Sequence, residues 1–275
     1  MPVTMIDRPI TKNQAYIKNV NKADSRYTDF QQRGPIGAVL HSIGSPQPSA
    51  KAIADYFNSP EVEASVHAVI QADGVCYQLA PWNYRMWHVG GSANNTHIGI
   101  EMTEPDCIWY DAKNGYKLHI EDRERALAHV RKTYSASVEL FAGLCKKFGW
   151  NPLEDGVLLS HKECHARGLG SNHGDPEHLW DALGTGYTMD TFRAAVAEKM
   201  HEDDGKEETE MRYNTLADLK ADKYNAPYYL PTIEKLMAKG ILRGKGGEGD
   251  ETILDLGEDA VRVLVTLDRA GVYGD

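Results

Sequence analysis

Leu159-Ser160-His161-Lys162-Glu163-Cys164-His165-Ala166-Arg167-Gly168, running on to Ser171-Asn172-His173-Gly174-Asp175-Pro176-Glu177-His178-Leu179-Trp180, gathers four histidines, a cysteine and an aspartate into one short stretch of a 275-residue chain. A solvated loop has no need of so many metal-type donors, whereas a metal centre does. The residues just before it, Val157-Leu158-Leu159-Ser160, form a short apolar run that reads as a buried strand delivering His161 to its end. Two upstream stretches have a related form. Ile36-Gly37-Ala38-Val39-Leu40-His41 is an apolar run that ends in a histidine, and Thr96-His97-Ile98-Gly99-Ile100-Glu101-Met102 carries a carboxylate inside an apolar strand. An unpaired charge there costs several kcal/mol and needs a local reason.

Taken together, His41, His161 and Asp175 offer two imidazoles and a carboxylate to a tetrahedral Zn2+, with the fourth position open as in catalytic zinc sites. Glu101 is then the spare acid and base. The helical zinc-protease motif needs Glu directly after its first His, but Lys162 follows His161 and Glu163 comes one place late, and the glycines after Arg167 favour a loop. Cys164, between His161 and His165, is the alternative ligand. Histidines merely solvated on a loop are the competing reading, and His41 and Glu101 far upstream argue against it.

Working outward, Val66 to Gln71 and Val75 to Leu79 flank Ala72-Asp73-Gly74, and Asp-Gly between apolar runs signals a hairpin. His67 falls on its first strand as a cleft-lining residue, with a satisfied core histidine as the alternative. His88, between Trp87 and Val89-Gly90-Gly91, lies on a loop whose glycines allow close approach to a ligand. His97 shares a strand face with Gly99 and Glu101, so His67, His88 and His97 are the candidate substrate-binding residues, while His119, His129 and His201 read as solvated. Helical spacing marks Gln47 to Phe57, Asp122 to Phe148 with Gly149 as its stop, and Met189 to Met200. Residues 1 to 35, with few apolar anchors, read as an extended arm. Cys76, Cys107, Cys145 and Cys164 show no paired spacing and read as free thiols.

The stretches Val39-Leu40-His41, Val66 to Gly74, Trp87-His88-Val89-Gly90-Gly91, Ile98-Gly99-Ile100-Glu101 and the late His/Asp cluster resemble, in this order, the zinc-dependent type 2 N-acetylmuramoyl-L-alanine amidases, whose fold is like that of peptidoglycan recognition proteins. The Ser-Asn-His-Gly-Asp-Pro-Glu-His-Leu-Trp ending is most similar to the branch found in phage and prophage endolysins of Gram-positive hosts. The resemblance covers roughly residues 30 to 200. It implies an α/β fold, a mixed β-sheet flanked by helices with zinc at one sheet end, and hydrolysis of the amide between N-acetylmuramic acid and L-alanine in peptidoglycan. Residue by residue, it implies His41, His161 and Asp175 as zinc ligands and Glu101 as the carboxylate that activates water. The family often carries Lys two places before the third ligand. Here that place is His173, which donates to the developing oxyanion only in the right protonation state or tautomer. The ligand spacing is also longer than in the commonest form.

With 41% hydrophobic and 25% charged residues, the chain is long enough for one good-sized core and a small second unit. No apolar run is long enough to span a membrane. The start, Met1 to Pro9, lacks a basic segment followed by an apolar one, so the expectation is synthesis in the host cytoplasm without a signal peptide and action on the cell wall after release. A net charge of −10 provides no basic footprint for nucleic acid. Residues 201 to 211 are almost devoid of apolar side chains and read as an acidic linker between a catalytic domain, 1–200, and a small mainly helical domain, 212–275. That tail, with helices over Tyr228 to Lys239 and Asp259 to Ala270, is similar to a surface-layer-homology-type unit, implying cell-wall binding; homo-oligomerisation through a small docking module is the alternative. A host autolysin of the same chemistry and a non-catalytic peptidoglycan-binding protein are the rival functions, the latter disfavoured because all three ligand candidates are present.

Overall fold

Alternation along two neighbouring strands sends one set of side chains into the main core and the other toward a second face that carries smaller apolar clusters and the site. The computed structural model describes residues 2–20, 25–205, 212–223 and 226–274, and it divides into two compact units, Met1–Glu202 and Asp203–Asp275. In chain order the first elements are β1 (Thr4–Asp7), α1 (Gln14–Val20), α2 (Ser25–Arg33), β2 (Gly37–Ser42), α3 (Ala50–Phe57), β3 (Ala68–Ile70), β4 (Val75–Gln78) and β5 (His97–Met102). They are followed by β6 (Ile108–Asp111), β7 (Lys117–Ile120), α4 (Arg123–Phe148), β8 (Leu158–Ser160), α5 (His161–Ala166), α6 (Glu177–Ala182) and α7 (Met189–Gly205).

Among the described residues, six strands make one sheet in the order β1-β4-β3-β5-β2-β8. Only the β3–β4 hairpin is antiparallel, so the sheet is mixed. Its turn is the Asp73-Gly74 pair, with Gly74 at φ 86 and its N–H donating to the Gln71 carbonyl. The central pair β2–β5 aligns Ala38 with Ile98, Leu40 with Ile100 and His41 with Glu101. Ala38, Leu40, Ile98, Ile100 and Met102 therefore enter one core, with Phe141, Leu144 and Phe192 from α4 and α7. The alternate residues, Val39, Gly99, His41 and Glu101, face the other way. Helix α4 starts where the Asp122 carboxylate accepts from the Arg125 N–H and stops at Gly149, whose φ of 68 suits glycine. Its Phe141 is fully buried, and truncation there costs about 3–5 kcal/mol.

The described residues among 1 to 35 are not an extended arm. Strand β1 pairs in parallel with β4, Thr4 opposite Val75, and forms the sheet edge, while Ile10, Tyr16, Tyr27 and Phe30 are buried. The apolar residues there are few, and these four land on the core, while Met5 and Ile6 of β1 stay exposed.

The second unit contains β9 (Arg212–Thr215), α8 (Leu216–Ala221), α9 (Ala226–Ala238), β10 (Ile253–Gly257) and α10 (Glu258–Arg269). Tyr213, Leu219, Tyr229, Ile233, Leu254 and Val261 form its core. Asp268 ties α10 to α9, accepting from Thr232 Oγ1 at 2.9 Å and Lys235 Nζ at 2.8 Å. The antiparallel pair β9–β10 adds a small ladder to what its sequence presents as helices. Of the segment read as a linker, 201–205 continue α7, and 206–211 lie outside the described residues.

Candidate metal centre

Strands β2 and β8 are parallel neighbours with Leu40 opposite Ser160, so His41 and His161, the next residues on each, leave the sheet together. Their rings stand 4.9 Å apart, edge to face. Ser160 ends β8 and caps α5 in the same step: its hydroxyl accepts from the Glu163 N–H, and the Glu163 carboxylate accepts from the Ser160 N–H. Arg193 of α7 holds Glu163 with two hydrogen bonds of 2.9 and 3.0 Å, which sets the direction of His161. The loop after α5 returns with the Lys162 N–H donating to the Asp175 carbonyl. Asp175 Oδ2 then lies 3.0 Å from His41 Nδ1, and Oδ1 lies 3.4 Å from His161 Nδ1. Ligand atoms of the three residues all lie within 4.8 Å of one another, and all three residues are buried.

The chemistry of this donor set fits a metal ion. Burial by itself would raise the Asp175 carboxyl, but the His161 and His41 imidazoles beside it hold it far below the usual carboxylate range. Burial pushes His41 down, only partly offset by Asp175. The ionised carboxylate and neutral imidazole are the ligand-competent forms. On its far side His161 Nε2 is 3.1 Å from Ser171 Oγ. The single hydrogen of that hydroxyl goes to the Val89 carbonyl at 3.2 Å or to His173 Nδ1 at 3.0 Å. In either case its oxygen can accept from His161 Nε2–H, which would leave Nδ1 bare toward Asp175. Two nitrogens and one carboxylate on a buried site suit a first-row divalent ion.

Glu101 lies opposite His41 in the β2–β5 register, so both side chains leave the same face. It is 8% exposed, and its Oε2 has no hydrogen-bond partner among the described residues. Burial, followed by the nearby Asp175 and Glu104 carboxylates, raises it well above the ordinary glutamate range. A cleft of about 640 Å3 opens here, with Glu101, His88 and His173 at its polar end and Ile53, Phe57 and Val66 along its apolar wall. His173 is exposed at the rim, its ring 4.4 Å from that of His161. Burial and the His161 ring lower its pKa, so it is neutral where a lysine would be charged.

Two of the three candidate substrate-binding histidines belong to the framework instead. His67 is fully buried, with the Gly99 N–H donating to its Nδ1 and its Nε2 donating to the Tyr84 carbonyl at 2.6 Å. Burial pushes it down to about 3. His97 does share the face of Gly99 and Glu101, but at the opposite end of β5, about 13 Å from Glu101 along the strand. Its Nε2 donates to the Gly156 carbonyl at 2.8 Å, and its Nδ1 accepts from Thr96 Oγ1 at 2.8 Å. Only His88 lines the cleft, and it also touches His41, Nδ1 to Nε2, at 3.0 Å. The glycines beside it serve loop packing: a Cβ at Gly91 would meet the Leu169 carbonyl at 2.3 Å. Cys164 packs with Val39, Val89 and Leu159, and burial raises its thiol to about 12, the wrong form for a ligand.

One buried group beside the site has no sequence signature. Glu104 is fully buried and accepts from Tyr110 OH at 2.7 Å, and that oxygen in turn accepts from His178 Nε2 at 2.8 Å. Burial raises Glu104 to about 7. Three residues this far apart in the chain share no pattern that spacing can reveal.

Comparison with known proteins points the same way. A family model described as N-acetylmuramoyl-L-alanine amidase matches residues 31–178, just over half of the chain. The N-acetylmuramoyl-L-alanine amidase BlyA of Bacillus subtilis (strain 168) is 27% identical over 153 residues, 52% of this chain and 40% of BlyA. The chain thus aligns with well under half of that relative's length. The hydrolase AmiA of Staphylococcus aureus, in a crystal structure with its ligand, has a TM-score of 0.52 at 18% identity, covering 75% of this chain and 86% of AmiA. That likeness is one of fold, and AmiA shares the mixed sheet flanked by helices. A mutant endolysin from Bacillus subtilis has a TM-score of 0.46 at 20% identity, covering 70% and 99%.

Proposed function

The chain belongs to the N-acetylmuramoyl-L-alanine amidase family, and from that premise we propose that it is a zinc-dependent peptidoglycan hydrolase that cleaves the amide between N-acetylmuramic acid and L-alanine. The observation that carries this reading is the convergence of His41, His161 and Asp175 beside an unpartnered Glu101 oxygen at the end of an open cleft. His41, His161 and Asp175 would hold Zn2+, which supplies Lewis acidity toward the scissile carbonyl and makes water acidic enough to attack near neutral pH. Glu101, its carboxyl raised by burial, takes the proton of the attacking water and returns it to the L-alanine amine as the C–N bond breaks. His173, in the tautomer whose Nδ1 accepts from the Ser171 hydroxyl, presents Nε2–H to the oxyanion that develops on the carbonyl. The apolar wall around Ile53, Phe57 and Val66 excludes water from the substrate backbone.

The substrate is the wall of a Gram-positive host, reached after release from the cytoplasm where the chain is made, as for a phage endolysin. No helix among the described residues is long and apolar enough to cross a membrane. In this reading the C-terminal unit holds the protein at the wall, with self-association as the alternative that a mass measurement in solution would reveal. The deciding experiment digests purified Gram-positive peptidoglycan with and without a zinc chelator and identifies the new amino termini. New N-terminal L-alanine that disappears with chelator is the expected result; new reducing sugar ends, or other peptide termini, would overturn it.

A further inference from the structure

His88 lines the cleft, and the hydrogen-bond pattern around it gives it a second role. Its Nε2 lies 3.1 Å from the His97 carbonyl, and a carbonyl only accepts, so Nε2 carries a hydrogen. Its Nδ1 lies 3.0 Å from His41 Nε2. These two are its side-chain hydrogen bonds among the described residues, and neither partner is a carboxylate that would favour a second ring proton. The neutral ring therefore turns a bare Nδ1 to His41, and His41 Nε2–H must donate to it. With that hydrogen placed, His41 Nδ1 is left toward Asp175 Oδ2 at 3.0 Å, the neutral tautomer in which His41 would be able to ligate an ion.

We infer that His88 is the positioning residue of the metal centre: it fixes the tautomer and ring plane of His41 through the chain His41 Nε2–H to His88 Nδ1, and His88 Nε2–H to the His97 carbonyl. The inference rests on the zinc reading of the site. Three independent features build the seat. Asn94 Oδ1 accepts from both the His88 and Val89 N–H groups, at 2.9 and 3.0 Å, which clamps the loop. The ring lies against β5 where Gly99 lacks a side chain; a Cβ there would come within 2.4 Å of His88 Cγ. The rings of His41 and His88 meet edge to face at 5.2 Å, the orientation an in-plane hydrogen bond to a ring nitrogen allows. Such partners on the far side of a metal-binding imidazole hold its orientation and raise its basicity. His161 has only the Ser171 hydroxyl in that place, so the two imidazole ligands are tuned differently.

The test is the zinc affinity of the full chain, measured by competition with a chromogenic chelator, for the wild type and for His88→Leu, His88→Asn and Gly99→Ala, with the melting temperature of each metal-free variant as a check on folding. Asparagine places an amide oxygen where Nδ1 stood, as far from the backbone, and it accepts from His41 Nε2–H. His88→Leu should weaken zinc binding by about 10–100-fold, while His88→Asn stays within about threefold of wild type. Gly99→Ala, which displaces the ring without removing it, should follow His88→Leu. Equal zinc affinity in wild type and His88→Leu would overturn the inference, as would an asparagine variant as weak as the leucine one. A wild-type chain that binds no zinc would instead sink the zinc reading and the inference with it, so the two failures are told apart by the wild type.

Discussion

Strand β5 begins at His97 and carries Glu101 near its other end, and the two polar residues, 4% and 8% exposed, are treated in opposite ways. His97 has a partner on each ring nitrogen, both from the protein. Glu101 has an oxygen with none. His67 belongs with His97, its two nitrogens used on the backbone, whereas His41 and His161 belong with Glu101, each turning a ring nitrogen toward a shared carboxylate. Burial is common to both groups and does not separate them. What separates them is how their hydrogen bonding is completed: His67 and His97 find fixed partners in the framework, while Glu101 keeps an oxygen without a partner among the described residues, at the end of the cleft.

Mutations at the two ends should break along that line. His161→Ala removes a ligand, and metal analysis should find the ion lost together with turnover; full metal occupancy would put His161 back among the framework histidines. Glu101→Gln should lower kcat by about 10²–10⁴-fold while metal content stays at the wild-type level, since the residue acts on protons and holds no ion in this reading. Retained activity would move the acid–base role elsewhere, Glu104 being a raised carboxyl close enough to act on Glu101.

On the framework side the readout is stability. His67 has a folded pKa of about 3, below the roughly 6.5 of an unfolded histidine. Between those values the unfolded state binds the extra proton. The stabilisation is therefore present in full above about pH 6.5 and is lost as pH falls, by up to about 1.4 kcal/mol per pH unit. His67→Gln should flatten the curve of unfolding free energy against pH over this window; an unchanged slope would show that His67 is not held neutral. The smallest effect is expected at His97→Ala: about 1–3 kcal/mol of stability in a denaturant titration, for the Gly156 carbonyl left without its donor, with zinc affinity unchanged. A loss of zinc affinity there would mean that the His97 carbonyl passes strain along the strand to His88.

The donor set was legible because chemistry and periodicity both point to it. An apolar run ending in histidine, a second run delivering His161, and a carboxylate within a strand are local patterns, and strand alternation is enough to place His41 and Glu101 on faces of a sheet. The same is true of the Asp73-Gly74 hairpin and of α4 with its Asp122 and Gly149 ends, for which the instructions lie within a few residues. Residues 1 to 35 misled because sparse apolar residues look like an arm until the sheet edge that β1 completes is known. The β9–β10 ladder was missed for a similar reason, since each strand is short and its partner lies about forty residues away.

By itself, then, the sequence marked His41, His161 and Asp175 as candidate metal donors and Glu101 as a candidate acid–base carboxylate, from residue type and local pattern, while the mixed α/β sheet came with the family resemblance those motifs carry. Only the tertiary structure decided which histidines are free to act. His97 is satisfied by the carbonyl of Gly156, His67 by that of Tyr84, and His88 bridges His41 to a third carbonyl. Backbone acceptors carry no signature in sequence, because every residue has one, and which of them a buried ring meets is set by how distant segments pack.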